Sequence, residues 1–419
     1  MKKLIYVLLD GVGDLPNTSL NGLTPLEAAK TPSMDGLARN GIMGTVYTVG
    51  KGIAPESDAG VLSMLGYDVS KEYVGRGPIE AIGMGMDFKE GDLAMRANYS
   101  TVSQDKKIID RRAGRNLSSK ESRELADAIN SEVRLDNDAT FQMKASVAHR
   151  GVLVISMDGE SLSSDISNTD PAYKQHGGLG VASSSTSNLV LERAEPLSNN
   201  PSSKLSAMLV NEFTKKSAKI LSNHPVNEKR ESEGKRAANL ILLRDAGNRI
   251  PSFVPISKKY GMNFASLTNM PVEKGITSVT GMTNIDSAGL DQHNIAELVE
   301  KILPEYEAIY VHIKGPDEPG HDGDAILKKK VIEDVDEKFF GYLRQRIDMN
   351  DIVIAISADH STPCTMKAHS DHPVPLLISG GNIKKDSSCR YTEREGQSGK
   401  LGSMKGIDVL EKIVSLTRD

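Results

Sequence analysis

The 419-residue chain contains no tryptophan, and phenylalanine and tyrosine together make up only 4% of it. Its core must therefore be packed from aliphatic side chains, with its 16 methionines filling irregular gaps. There are two cysteines, Cys364 and Cys389, in no metal or redox spacing, which argues against a disulfide framework. Cys364 reads as a packed free thiol before a nucleophile. No stretch approaches the ~20 apolar residues of a membrane span, and the chain enters a strand within three residues without the apolar region of a secretory signal. A cytoplasmic protein is the expectation. An excess of one charge is also missing: 51 Lys and Arg are interspersed with 56 Asp and Glu, a net charge of -5 that offers no basic field to nucleic acid or an anionic membrane. An anionic substrate would have to be held by a local cluster. What the chain does have is length and 38% hydrophobic residues, enough for two cores, so two domains are expected.

The residues that organise the rest run from Asp351 to Pro363. Ile352-Val353-Ile354-Ala355-Ile356 is an unbroken apolar, largely β-branched run, the pattern of a strand buried on both faces in a parallel sheet. It ends abruptly at Asp359-His360. Two more strands end in the same way: Lys3–Leu9 runs into Asp10-Gly11-Val12-Gly13-Asp14, and Ala308–Ile313 runs into Gly315-Pro316-Asp317-Glu318-Pro319-Gly320-His321. Ligands of open α/β sheets sit beyond the carboxyl ends of the strands. Asp10, Asp317 and Asp359 would then meet at one sheet edge, where converging carboxylates repel unless a cation lies among them.

Between these strands the chain alternates texture. Thr24-Pro25-Leu26-Glu27 is a capping-box helix start, and a second helix is expected from Met34 to Asn40. Val49 to Gly60 reads as a loop entering a helix at Val61–Leu65, with Ser57 at or beside its amino end; a capping serine is the plain reading, yet the same place favours a phosphate. From 87 to 244 the pattern changes. Ala94 to Val102 alternates like a half-exposed strand with a hairpin partner at Ile108-Ile109, helical spacing recurs at Leu125, Ile129 and Val133 and at Leu205, Leu209 and Phe213, and a polar run fills Ser161 to Ser203. A loop that long in a compact domain is more often functional or mobile than inert. This points to an α+β domain (87–244) inserted into a discontinuous α/β domain (1–86 and 245–419). The first texture resumes at Ala238–Leu243, near the domain junction; a strand at Asn263–Leu267, an amphipathic helix through Ile295 to Leu303 and one through Val331 to Phe339 complete the chain, and Lys328-Lys329-Lys330 reads as the solvated face of the last.

Five of the nine histidines lie between His312 and His372. Singly, each is more often a satisfied side chain than a ligand; their coincidence with three strand-end aspartates reverses that weighting. A mixed carboxylate and imidazole set suits Mn²⁺ or Zn²⁺, and so many donors suit two ions ~4 Å apart, the arrangement that stabilises attacking and leaving oxygens in phosphoryl transfer. Ser57 is the candidate nucleophile, since coordination would ionise an otherwise poor one.

Asp10-Gly11, Pro55-Glu56-Ser57-Asp58, Asp317-Glu318-Pro319-Gly320-His321, Ala358-Asp359-His360-Ser361-Thr362-Pro363 and Ala368-His369 before Pro373-Val374-Pro375 resemble the alkaline phosphatase superfamily. With Asp110-Arg111-Arg112-Ala113-Gly114-Arg115 and His149-Arg150-Gly151, the ordered set is similar to the archaeal-type 2,3-bisphosphoglycerate-independent phosphoglycerate mutases over nearly the whole chain. The resemblance implies an alkaline-phosphatase-like, mostly parallel sheet flanked by helices, two divalent ions (Mn²⁺ first, with Zn²⁺, Co²⁺ or Mg²⁺ as alternatives), and no need for 2,3-bisphosphoglycerate. Carried over, one ion would be held by Asp10, Ser57, Asp359 and His360 and the other by Asp317, His321 and His369, with His372 close by. Arg112, Arg115 and Arg244 are implied partners of phosphate or carboxylate, and Asp165 and Asp170 acceptors from glycerate hydroxyls. The reaction implied is interconversion of 3- and 2-phosphoglycerate through phosphoserine at Ser57, with the insert keeping water away. Its rivals are a hydrolase with the same metal core, a pentose phosphate mutase, and a metal-stabilised binding protein without turnover. Self-association is left open.

Overall fold

The computed structural model describes residues 1–176, 179–182 and 189–418. Their strands are β1 (Lys3–Leu9), β2 (Gly41–Tyr47), β3 (Leu93–Val102), β4 (Ile108–Asp110), β5 (Thr140–Ala145), β6 (Arg150–Ser156), β7 (Tyr173–His176), β8 (Leu179–Ala182), β9 (Leu240–Gly247), β10 (Phe264–Thr268), β11 (Thr283–Asp286), β12 (Ala308–Ile313), β13 (Ile352–Ser357), β14 (Val374–Gly380) and β15 (Gly402–Lys405). The chain forms two compact units: Met1–Glu72 with Phe253–Asn269 and Thr277–Asp419, and Tyr73–Ser252 with Met270–Ile276.

The first unit is built on an eight-stranded sheet in the order β11-β10-β12-β1-β13-β14-β2-β15. β12 and β13 flank β1 in parallel, with Leu8 opposite both His312 and Ser357, and β14 is antiparallel to both its neighbours. The sheet is thus mostly parallel, and the runs chosen on apolar continuity are its buried centre: every residue from Leu4 to Leu9, Ala308 to Ile313 and Ile352 to Ser357 is buried. Because β1, β12 and β13 are parallel and in register, their carboxyl ends fall at one edge. The capping box at Thr24 forms, its hydroxyl accepting from Glu27 N while Glu27 Oε2 accepts from Thr24 N, both at 3.0 Å. The helix Gln292–Ile302 buries Ala296, Val299 and Ile302, one face of the expected amphipathic pattern.

One expectation fails here. Lys328 is not on a solvated face: its side chain is fully buried, and Nζ donates to Asp14 Oδ2 at 2.9 Å, Gly13 O at 3.2 Å and Thr362 O at 2.9 Å. A run of three lysines looks solvated because charge is costly to bury without partners. Here three acceptors on distant segments supply them.

The second unit has a sheet in the order β4-β3-β6-β5, with β9 also on β3. Leu93, Met95, Ala97 and Tyr99 share a core with Leu125, Ile129 and Phe213, residues of the helices Ser119–Glu132 and Pro201–Ser222. The expectation that β3 is half exposed is corrected, since Leu93 to Thr101 are all buried. On its polar face Arg96 meets Glu80, whose Oε1 accepts from Arg76 Nε at 2.7 Å on the helix Arg76–Gly83. That helix and all of β9 lie in this unit, so the sequence boundaries at 86/87 and 244/245 fall inside it. The polar run of 161–203 lies partly outside the described residues. No helix among the described residues is long and apolar enough to cross a membrane.

Candidate active site

Asp10, Asp317, Asp359, His360, His321, His369 and Ser57 are gathered in the first unit, at the edge where β1, β12 and β13 end. Ser57 is the first residue of the helix Ser57–Met64, which therefore starts four residues earlier than expected. This helix lies against the end of β13 because residue 60 is glycine: a Cβ there would sit 2.2 Å from the Asp359 carbonyl oxygen. Ser57 Oγ is thereby placed 3.1 Å from His360 Nε2. Asp359 is fixed by Gly11 N and His360 N, each donating to Oδ1 at 3.1 Å.

The imidazoles are oriented by what their Nδ1 atoms meet. Thr362 gives its hydroxyl proton to Asp317 Oδ1 at 2.6 Å, so its oxygen accepts from His360 Nδ1–H at 3.0 Å. Carbonyl oxygens only accept, so His369 Nδ1–H donates to Pro55 O at 2.8 Å and His321 Nδ1–H to Lys367 O at 3.2 Å. All three rings accordingly turn Nε2 into the space between the carboxylates, the tautomer and aim that metal-ligating histidines receive from their outer hydrogen bonds. His360 Nε2 lies 3.2 Å from Asp359 Oδ2 and 3.5 Å from Asp10 Oδ1. His321 and His369 Nε2 each lie 3.5 Å from Asp317 and 3.2 Å from each other. Two lone pairs facing at that distance need a cation or a proton between them.

Two donor groups, Asp10 with Asp359 and His360, and Asp317 with His360 and His369, bring their ligand atoms within 4.8 Å of one another. His360 belongs to both, where the resemblance gave it to one. Asp10 Oδ1 and Asp359 Oδ2 are buried without a hydrogen-bond partner. Oxygen and nitrogen donors converging with carboxylate lone pairs unused fit divalent cations. His372 is in neither group, and its Nδ1 lies 3.0 Å from Ser370 Oγ.

The carboxylates of the site are shifted in opposite directions. Burial pushes the Asp10 carboxyl up, offset in part by Lys314 and reinforced by Asp359 and Asp317. Burial also opposes ionisation of Asp317, but His369, His360 and His321 outweigh it and hold that carboxyl well below its usual range. His369 is the counterpart: burial disfavours its charge, yet Asp317 prevails and pushes it up to about 10.

The sequence reading assigned no role to His312, Lys314 or Thr362. His312 Nε2 is 3.4 Å from Asp359 Oδ2, and Lys314 Nζ is 2.9 Å from Asp10 Oδ2. His312 lies in β12 and Lys314 is the first residue beyond it, so both stand where that strand runs into the site.

The second unit holds a separate cationic cluster. Burial, then Arg150, Arg112, Arg96 and Arg115, push His149 down to about 3, so these arginines share one positive field. Arg244 stacks on Tyr173 with Cζ 3.6 Å from the ring centre, and Arg111 at 4.9 Å. Asp170 is committed to Arg111, whose Nε donates to Oδ1 at 3.0 Å and whose Nη2 reaches Oδ2; it orients an arginine rather than standing open to a glycerate hydroxyl. Asp165 is exposed, tied by its backbone to Ser163 and Leu197, and shows no hydrogen bond to the cluster among the described residues.

The fold and site define an α/β protein in which the strand ends of a mostly parallel sheet converge carboxylates and imidazoles on a helix-borne serine. Comparison narrows this. Residues 38–227 match the family model of 2,3-bisphosphoglycerate-independent phosphoglycerate mutase. A protein of that description from Aeropyrum pernix is 39% identical, covering 99% of each chain, and one from Methanosphaera stadtmanae is 38% identical over 98% of this chain and 96% of its own. A cofactor-independent phosphoglycerate mutase from Thermoplasma acidophilum has a solved structure 31% identical with a TM-score of 0.63, covering 100% of both chains. A Pyrococcus horikoshii structure, also 31% identical, reaches 0.80 over 100% of this chain and 97% of its own. The chain belongs to the 2,3-bisphosphoglycerate-independent phosphoglycerate mutase family.

Proposed function

We propose that the protein interconverts 3-phosphoglycerate and 2-phosphoglycerate in the cytoplasm, without 2,3-bisphosphoglycerate, through a phosphoserine at Ser57. The observation that carries this is Ser57 Oγ 3.1 Å from His360 Nε2, an atom that lies 3.2 Å from Asp359 Oδ2 and 3.5 Å from Asp10 Oδ1. Two divalent ions, Mn²⁺ first, held by Asp10, Ser57, Asp359 and His360 and by Asp317, His321 and His369, would supply the positive charge that ionises the serine hydroxyl and neutralises the phosphoryl oxygens. Ser57 Oγ bonds to phosphorus as the bond from phosphorus to the C3 oxygen of the substrate breaks, the serine proton passing in net to that C3 oxygen. The C2 oxygen of the retained glycerate then bonds to phosphorus as the bond to Ser57 Oγ breaks, and the C2 hydroxyl proton returns in net to the serine. Retention falls to the second unit, the inserted substrate-binding domain in this reading, whose Arg112, Arg115 and Arg244 match carboxylate and phosphate in charge and geometry. Asp165 has no contact that supports a role, and Asp170 acts through Arg111.

The test is to strip the protein with chelator, restore Mn²⁺, add 3-phosphoglycerate and follow products by phosphorus NMR. Metal-dependent 2-phosphoglycerate with little free phosphate is expected; free phosphate alone would make it a hydrolase. Arg112→Ala should raise KM about 10- to 100-fold, the loss of one charge-assisted hydrogen bond, and increase the share of free phosphate. An unchanged KM and product ratio would remove Arg112 from the site.

Metal uptake should also release a proton. His369 keeps its proton up to about pH 10, so at pH 8 a cation must displace it, and affinity falls as pH falls. Calorimetric Mn²⁺ titrations in two buffers of different ionisation enthalpy would count it. His369→Gln should release about one proton fewer; equal release in both proteins would contradict the assignment.

A further inference from the structure

The loop carrying Arg112 and Arg115 has an unusual backbone. Ala113, Gly114 and Arg115 have φ of 44°, 74° and 55°. Only glycine enters that left-handed region freely, so three successive residues there persist only where the surroundings impose it. What imposes it is Arg230, on the helix Pro225–Ser232, whose side chain is 1% exposed. All five of its N–H donors are used. Nη2 donates to Ala113 O at 3.0 Å and Asn116 Oδ1 at 2.6 Å, Nη1 to Asn116 O at 3.3 Å and Glu121 Oε1 at 3.1 Å, and Nε to Arg236 O at 2.8 Å.

Three of those five acceptors belong to Ala113 and Asn116, the residues on either side of Gly114-Arg115. The fork therefore grips both ends of the left-handed turn and fixes where the chain leaves Arg112 and re-enters after Arg115. A site that only needed filling would take an apolar side chain without desolvating a cation.

We propose that Arg230 is a positioning residue for substrate capture: buried and out of reach of any ligand, it sets the turn from which Arg112 and Arg115 present their guanidinium groups to the anionic substrate. This rests on the reading that those arginines hold phosphoglycerate. It separates two properties that a merely structural role would join. Loosening the turn misplaces the guanidinium groups and weakens binding of substrate, while the chemistry at Ser57, in the other unit, keeps its rate once substrate is bound.

The test uses the full-length, Mn²⁺-loaded enzyme and compares wild type with Arg230→Met, Asn116→Ala and Arg112→Ala. Asn116 is exposed, so its replacement removes one of the contacts without opening the core. Arg230→Met is expected to raise KM for 3-phosphoglycerate by about tenfold or more with kcat within about threefold, and Asn116→Ala to do the same to a smaller degree at an unchanged unfolding temperature. If Arg112→Ala raises KM but the other two leave it alone, losing only stability or kcat, Arg230 is structural and the proposal is overturned. If Arg112→Ala itself leaves KM unchanged, the reading of the arginines fails and Arg230 loses its role with it. Should Arg230→Met fail to fold, Asn116→Ala decides: a raised KM supports the positioning role and an unchanged one refutes it.

Discussion

Ser57→Ala is expected to lower turnover by about 10⁴-fold or more while leaving the unfolding temperature within a degree or so. The two halves of that expectation come from different features of the same residue. Ser57 Oγ is the only hydroxyl oxygen among the described residues recorded in contact with His360 Nε2, 3.1 Å away, and it stands at the amino end of a helix where negative charge is favoured. If phosphorus is transferred to this oxygen, nothing on an alanine can accept it. The fold, however, does not use the hydroxyl. The helix Ser57–Met64 has Glu56 at its N-cap and no side-chain capping bond, and Ser57 is half-buried, so a methyl group replaces the hydroxymethyl without a cavity. Intact-protein mass spectrometry after quenching with 3-phosphoglycerate gives the matching signature, a phosphate adduct in wild type that disappears in the variant. A variant that retained wild-type rate would exclude Ser57 as nucleophile.

The largest stability effect is expected at Lys328, far along the chain from the residues it serves. Lys328→Met should destabilise the protein by about 3–5 kcal/mol, because removing one partner of a buried ion pair leaves the other uncompensated. Asp14 would remain buried, still accepting from Leu15 N at 2.8 Å and from Cys364 N at 3.1 Å but without its counter-charge. Asp14→Asn in the same background removes the stranded charge, so the double variant should recover part of the loss; the cycle measures the pair. Urea unfolding provides the values. A loss below about 1 kcal/mol for Lys328→Met would mean water reaches Asp14 and that the pair behaves as a surface one. The effect should extend to metal affinity. The ammonium joins Gly13 and Asp14, just after Asp10, to Thr362, just after His360, so it ties together the two strand ends that supply those ligands.

The sequence by itself determined the central strands of the sheet and the edge at which Asp10, Asp317 and Asp359 gather. Runs such as Lys3–Leu9 and Ile352–Ser357 have no alternation, so they can only be strands covered on both faces, and a strand that ends in Asp or Asp-His delivers that side chain to the strand's carboxyl edge. These are local properties, legible in a few adjacent residues.

The tertiary structure decided the rest, and for one physical reason: whether a polar group can be buried depends on partners that lie elsewhere in the chain. Lys328 looks solvated beside Lys329 and Lys330 until Asp14, Gly13 and Thr362 come within reach. β3 looks half exposed until the helix Arg76–Gly83 brings Glu80 to Arg96. Asp170 looks open to substrate until Arg111 takes both its oxygens, and the tautomers of His360, His369 and His321 depend on Thr362, Pro55 and Lys367, which no spacing along the chain connects to them. Apolar burial is read from the residue itself, whereas polar burial is settled between residues that only folding brings together.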